Sequence, residues 1–359
     1  MTTEPLALLK ELSTAVGISG YERPIRELVR ERFAPYVDEF FDDPLGSLTM
    51  IKRGEQDDGP GPRRKIMLAA HIDEIGGMVT QVERGFIHFT KVGGLDRRLL
   101  LGQEVTVFGR QRYHGVIASI PPHFSQADRS RYPELETYQI DLGLPAETVA
   151  KTVRTGDLVA MRKRPVEMMG GLLSGKAIDD RAAVVSVYIC LQELARLNHA
   201  WDVYAVATSQ EEVGLKGAMT SAYRLSPDIA IAIDVTHAAA PGVADGFEVA
   251  LNKGPAIAQG ANLHPAMVQG LRDTAAALEM GLQTEIEPAA TGTDAWAIQI
   301  SRDGIPTGLI SIPLRYMHSA IETVSPKDVA RVGRLMAYFI AGLNEAFIDT
   351  LIPKDGLED

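Results

Sequence analysis

Four continuous apolar runs recur along the chain, and three of them end in acidic or imidazole groups. They are KIMLAAHID (65–73), DVYAVATSQEE (202–212), DIAIAID (228–234) and TGLISIP (307–313). Unbroken runs of this length suit strands buried on both faces of a sheet. Three longer stretches carry apolar positions at helical spacing: RAAVVSVYICLQELARL (181–197), PAMVQGLRDTAAALEM (265–280) and KDVARVGRLMAYFIAGLNEAF (327–347). Strands alternating with helices predict an α/β fold, a mixed, mostly parallel sheet flanked by helices. Near the start, Leu6, Leu9 and Leu12 repeat at helical spacing, Gly17 to Gly20 break the pattern, and Pro24 suits the first turn of a second helix. A short strand is expected near 47–51, and a surface loop over the polar GEQDDGPGPRR (54–64).

Residues 77–168 break this alternation. GFIHFT (85–90), EVTVFG (104–109) and YHGVIAS (113–119) are short, alternating and punctuated by Gly and Pro. They predict a small β-rich domain inserted into a discontinuous α/β catalytic domain of residues 1–76 and 169–359. At 359 residues the chain exceeds what one core usually needs, which fits two domains.

In open α/β sheets, ligands bind at the carboxyl ends of the strands. The polar residues closing the apolar runs are His71 with Asp73, Glu211 with Glu212, and Asp234. Asp179 and Asp180 precede the 181–197 stretch, and His318 follows the run at 307–313. Singly, each has an ordinary reading. A lone His is a hydrogen-bonded loop residue, Glu211-Glu212 a solvated strand end, and Asp179-Asp180-Arg181 a helix N-cap with dipole-favoured acids. Together they read differently. Acids crowded at one sheet edge raise each other's pKa values unless cations balance them. Three ligand carboxylates against two divalent ions leave a charge of about +1, which one hydroxide cancels. His and carboxylate donors suit zinc or cobalt better than magnesium. A pair of metals activates a nucleophile and polarises a carbonyl. Of two adjacent acids such as Glu211 and Glu212, one can bind metal while the other takes a proton. Spacing alone does not assign the two roles.

Composition narrows the alternatives. A net charge of -11 argues against nucleic-acid binding. The single cysteine, Cys190, lies in an apolar helical stretch, so a disulfide within the chain and a CxxC motif are excluded and a buried, inert thiol is expected. The segment MTTEPLALLKELS has no cationic and apolar leader pattern, and no run is long enough to span a bilayer. A cytoplasmic location without membrane partners is the expectation. HExxH, GxSxG, Walker and GxGxxG motifs do not occur.

The motifs match one family. VGISGYE (16–22), AAHIDEIGGMVT (69–80), IASIPPH (117–123), IDLG (140–143), KAIDDRAAV (176–184), ATSQEEVGLKGA (207–218), AIDVT (232–236), GTDA (292–295) and IPLRYMHSAIETV (312–324) span nearly the whole chain. On these the chain resembles the tetrahedral aminopeptidases, dinuclear metallo-aminopeptidases that include glutamyl and leucyl types. The resemblance implies metal ligands at His71, Asp179, Glu212, Asp234 and His318. Asp179 resembles the bridging carboxylate, joined to Asp180 by a cis peptide. His71 and Asp234 would serve different metals, as would Glu212 and His318. Glu211 resembles the general base and Asp73 the acid that orients His71. The activity implied is hydrolysis of the N-terminal peptide bond of peptides, with two zinc or cobalt ions, a metal-bound hydroxide as nucleophile and Glu211 as base. The inserted domain would be a β-barrel-like dimerisation domain, and six dimers would form a tetrahedral dodecamer. Ala289-Ala290-Thr291 and Trp296 depart from the family pattern and leave the preferred N-terminal residue open. Competing readings keep the metals but act as a carboxypeptidase or N-acyl amino-acid deacylase, or keep the fold as a non-catalytic assembly protein.

Overall fold

The structure, a computed structural model, describes residues 3–55, 63–120, 132–243 and 249–352. Parts of two expected features, the 54–64 loop and the end of IASIPPH, lie outside the described residues.

The four apolar runs form four adjacent parallel strands. Lys65–His71 lies between Asp202–Thr208 and Ile229–His237, and Ile229–His237 pairs in turn with Thr307–Arg315. All seven residues of Asp202–Thr208 are buried, as are all but the last of Ile229–His237. This is why the runs are unbroken rather than alternating. Antiparallel strands extend the sheet to eleven. Glu39–Asp42 and Leu48–Lys52 add to one side, and Glu322–Val324, Leu173–Gly175 and Val166–Glu167 to the other. Ala256–Gly260 pairs antiparallel with Thr307–Arg315, and Gln283–Glu287 runs parallel beyond it. The sheet is therefore mixed and mostly parallel at its centre, as expected.

Helices flank it. Ile178–Leu194 is buried on nearly every side, packed against the sheet and against Thr3–Thr14 and Pro326–Gly342. Its contact with Pro326–Gly342 is close because Gly333 has no side chain. A Cβ there would stand 2.6 Å from the Ser186 carbonyl oxygen. The stretch 327–347 was expected to be one helix but is two. Pro326–Gly342 stops at Leu343, whose backbone is extended, and Asn344 caps the short Glu345–Ile348 by accepting the Phe347 N–H. Cys190 is buried, and burial pushes its thiol pKa up, as an inert core thiol requires. No helix among the described residues is long and apolar enough to cross a membrane.

Six further strands close into a barrel: Gly76–Glu83, Phe86–Val92, Glu104–Phe108, Arg112–Ala118, Gln139–Asp141 and Leu158–Met161. It has its own core, including Val79, Ile87, Val105, Val107 and Ile140. Val166–Glu167, further along the chain, belongs to the large sheet rather than to the barrel.

Candidate metal centre

The centre forms at the carboxyl ends of the parallel strands. His71 is the last residue of its strand. Glu211 and Glu212 follow Asp202–Thr208 by a short turn. Asp234 lies within its strand rather than at the end, because pairing with Thr307–Arg315 carries the strand on to His237. The register Ala69–Ala232, continued by two residues, sets His71 level with Asp234. Asp179 and Asp180 open the buried helix in non-helical conformations, and the bond between them is cis. They are buried, so a solvated helix cap does not describe them. His318 sits in the loop after Thr307–Arg315 with φ of 61°.

Asp179 stands between two imidazoles and turns one oxygen to each. Its Oδ1 is 3.1 Å from His71 Nε2, and its Oδ2 is 3.4 Å from His318 Nε2. Glu212 Oε1 is 3.6 Å from His318 Nε2. On the other side, ligand atoms of His71, Asp180 and Asp234 all lie within 4.8 Å of one another. Ligand atoms of His71, Asp179 and Glu212 likewise all lie within 4.8 Å of one another, so His71 stands beside both groups.

Two buried acids hold these ligands in place. Asp73 accepts the backbone N–H groups of Glu211 (3.0 Å) and Glu212 (3.2 Å) and the Ser19 hydroxyl (2.7 Å). Its Oδ1 is 3.5 Å from His71 Nδ1. Burial alone would raise its pKa, but hydrogen bonding to His71 and Ser19 outweighs this and lowers it. Glu322 does a similar job at the other end. One of its oxygens accepts the N–H of Ile178 (2.7 Å) and of Asp179 (3.1 Å), and the other accepts the His318 N–H (2.9 Å). Gly94 closes the His318 side, since a Cβ there would be 2.3 Å from His318 Nδ1.

Charge is badly unbalanced among the protein groups alone. Among the described residues no Lys or Arg pairs with Asp179, Asp180, Glu211, Glu212 or Asp234. Burial and neighbouring acids push Glu211 up to about 10 and Glu212 to about 7. Asp180 and Asp234 are also driven well above the carboxylate range, by burial first and then by nearby acids. His318 rises to about 9, chiefly through its hydrogen bond to Asp179. Both Asp180 oxygens are buried without a hydrogen-bond partner. Imidazole nitrogens and carboxylate oxygens in cationic deficit are a donor set that fits divalent metal ions. A cavity of about 520 Å³ opens onto Asp179, Glu211, Glu212, Asp234 and His318.

The structure therefore brings all seven residues singled out in the sequence to one place. It also brings three that sequence reasoning left without a role. Asp180 was visible only as Asp179's neighbour. Glu322 lay inside the quoted IPLRYMHSAIETV motif. Asp294 lay inside GTDA, and is buried with one oxygen accepting the Thr208 hydroxyl at 2.6 Å and the other unpartnered.

Comparison with known proteins accords with this geometry. The family model for M42 glutamyl aminopeptidase matches residues 46–335. The lysyl aminopeptidase of Pyrococcus furiosus is 31% identical over 356 residues, covering 97% of this chain and 98% of that protein. Among solved structures, the TET aminopeptidase of the marine sediment archaeon Thaumarchaeota archaeon SCGC AB-539-E09 superposes with a TM-score of 0.91 at 31% identity, covering 97% of this chain and 99% of that one. The Pyrococcus horikoshii TET1 peptidase, which can assemble into a tetrahedron or a large octahedral shell, matches with a TM-score of 0.82 at 31% identity, covering 94% and 100%. On these matches the chain belongs to the M42 glutamyl aminopeptidase family and is a peptide-bond hydrolase of the aminopeptidase type.

Proposed function

We propose that the chain removes the N-terminal residue of peptides at this centre, with two divalent ions, zinc or cobalt, and Glu211 as general base. The observation that carries the reading is Asp179, whose two oxygens face different imidazoles. Asp179 would bridge the ions, His71 and Asp234 would hold one, and Glu212 and His318 the other. Bound there, the ions supply Lewis-acid polarisation of the scissile carbonyl and activation of water.

The chain's own groups do the rest. The Glu211 carboxylate lines the cavity, lies 4.0 Å from His71 Nε2, and accepts no hydrogen bond from a described residue. It is available to take a proton from the attacking water and pass it to the leaving amine. Asp73 fixes the Glu211 backbone and orients the His71 ring, coupling base and ligand. Substrate carrying a free N-terminal amine suits an acid-rich cavity, whereas an N-acylated end brings no positive charge to it.

The test is hydrolysis of aminoacyl anilides by chelator-stripped protein reloaded with zinc or cobalt. Turnover should return with metal, favour the free amine over its N-acetyl form, and fall by roughly 10²–10⁴-fold in Glu211→Gln with metal content retained. Turnover by the stripped protein, or preference for the acetylated substrate, defeats the reading. The barrel is proposed as a separate dimerisation domain within a tetrahedral dodecamer, on the strength of the assembling P. horikoshii neighbour. Light scattering that returns a monomer mass would refute that assembly.

A further inference from the structure

The loop that carries His318 leaves one core and enters the other. Leu314 and Val324, on the strands at its two ends, belong to the core of the large sheet, and Met317 rests partly against it. Ala320 does not. It is 4% exposed and sits in the barrel's core with Ile75 and Leu95. Its neighbour Ile321 is 40% exposed, so the burial is specific to Ala320. The barrel also reaches back toward the loop. The turn after its Phe86–Val92 strand lays Gly93 and Gly94 against two candidate ligands. A Cβ on Gly94 would overlap His318 Nδ1, and one on Gly93 would stand 3.3 Å from Glu212 Oε2.

This grip matters because the loop's backbone is strained. Tyr316 and His318 have φ of 62° and 61°, a region that residues with a side chain avoid. Such conformations persist where surrounding contacts over-determine them. Glu322 supplies one contact by accepting the His318 N–H. The Ser319 hydroxyl supplies two more, donating to the Tyr316 carbonyl at 2.6 Å and accepting the Ile321 N–H at 3.2 Å. These fix the backbone, whereas Gly94 bounds the imidazole itself on its Nδ1 side. Cavities of about 730 and 460 Å³, both bordered by Val16, open along the seam between barrel and sheet, so contact between the two units is not continuous. The other candidate ligands have no such dependence. His71 and Asp234 stand on strands of the large sheet, and Asp179 and Asp180 on its buried helix.

Resting on the two-ion reading proposed above, we infer that the barrel is a working part of the metal centre: Ala320, Gly93 and Gly94 are positioning residues that hold His318 on its ion. Retention of that ion depends on the barrel being docked, and retention of the other does not. The Ala320 methyl anchors the loop in the barrel's core, and the Gly93–Gly94 turn closes over the ring so anchored.

The experiment measures cobalt and zinc binding by the full-length chain in equilibrium dialysis for wild type, A320S, G94A and V149A. A320S puts a hydroxyl into an apolar core, and G94A drives a methyl group into the imidazole. V149A is the control. Val149 is buried in the same core, on the Ala146–Thr152 helix beside Gly85. Gly85 lies where Glu83 pairs with Phe86, the end of that hairpin opposite the Gly76–Val92 pair beside Gly93. A320S and G94A should keep one ion as tightly as wild type and bind the second roughly 10–100-fold more weakly. V149A should lower Tm but bind both ions as wild type does. Unchanged binding in A320S and G94A, or equal loss of an ion in V149A, overturns the inference. Hydrogen exchange over residues 316–321 in metal-free full-length protein reads the anchor without metal. Faster exchange there in A320S than in V149A supports the inference, and equal rates overturn it. If the wild type binds no metal, the two-ion reading is what fails, and the exchange rates still decide whether the barrel holds the loop.

Discussion

Glu322 makes three backbone hydrogen bonds to two segments that carry candidate ligands, and it does not line the cavity at the metal centre. Its value lies in fixing Asp179 and His318 relative to each other. Glu322→Ala should therefore weaken metal affinity by roughly 10–100-fold, read by metal titration, while far-UV circular dichroism stays unchanged. Unaltered affinity would show that the ligands hold themselves. Glu322 was illegible in the sequence because its partners lie about 140 residues away or are backbone groups. His71, Glu211, Glu212 and Asp234 were legible because each breaks an apolar run at a sheet edge. Which of Glu211 and Glu212 is base or ligand came from the family resemblance, and the 3.6 Å approach of Glu212 to His318 supports the same order. A second residue-scale prediction lies at the far end of the strand. Asp202 is buried between Arg53 and Arg63, each 2.8 Å away. Burial raises its pKa, but the Gly54 N–H and the two guanidinium groups lower it further, leaving it below the usual value. A depressed acid stabilises the fold above its unfolded pKa of about 3.8 and loses that contribution as pH falls through the lower folded value. Because both arginines are partly exposed, Asp202→Asn should cost only about 1–2 kcal/mol at pH 7. The gap from wild type should close below about pH 4, as thermal unfolding across pH would show.

At the scale of elements, periodicity located strands and helices but not their ends. The run 228–234 was read as a strand ending at Asp234, yet Val235 and Thr236 continue it by pairing with Ile312 and Pro313. This places Asp234 on a rigid strand interior instead of a loop. The 327–347 stretch looked continuous because Leu343 and Phe347 keep helical spacing, and only the Asn344 cap marks the break. Helix contact is set by positions that carry no apolar signal at all. Gly333 lets Pro326–Gly342 approach Ile178–Leu194, the helix that carries Asp179. In Gly333→Ala the new Cβ meets the Ser186 carbonyl and the Ile189 Cβ, at 2.6 and 2.7 Å, neither of which can swing aside. Alanine gains about 1 kcal/mol of helix propensity, but overpacking of this kind costs about 1–3 kcal/mol. A lowered Tm is expected, and because the strained contact lies on the helix bearing Asp179, weakened metal binding should accompany it. A variant as stable as wild type would show that the two helices slide freely.

The whole molecule joins two cores, one around the large sheet and one inside the barrel, and the metal centre lies at the carboxyl ends of the large sheet's parallel strands. The alternating middle of the sequence announced a β-rich unit, while the expectation of a barrel came from the family resemblance alone, since closure depends on register between strands distant in the chain. Asp179, Asp180, Glu211 and Asp234 are buried together, with no Lys or Arg to pair them among the described residues. An uncompensated carboxylate in such a place destabilises the fold or is neutralised by a proton. Bound divalent ions would remove that penalty, acting as folding ligands as well as cofactors. An ion that binds only the folded chain stabilises it by about 2.7 kcal/mol at 100 times its Kd. Chelation should therefore lower Tm, and zinc or cobalt should restore it in a concentration-dependent way. The metal effect should be much reduced in a chain whose Asp179 is replaced by Ala, because the carboxylate facing both imidazoles is gone. If stripped and loaded protein unfold at the same temperature, the buried acids are balanced by protons alone and this account of the centre's stability fails.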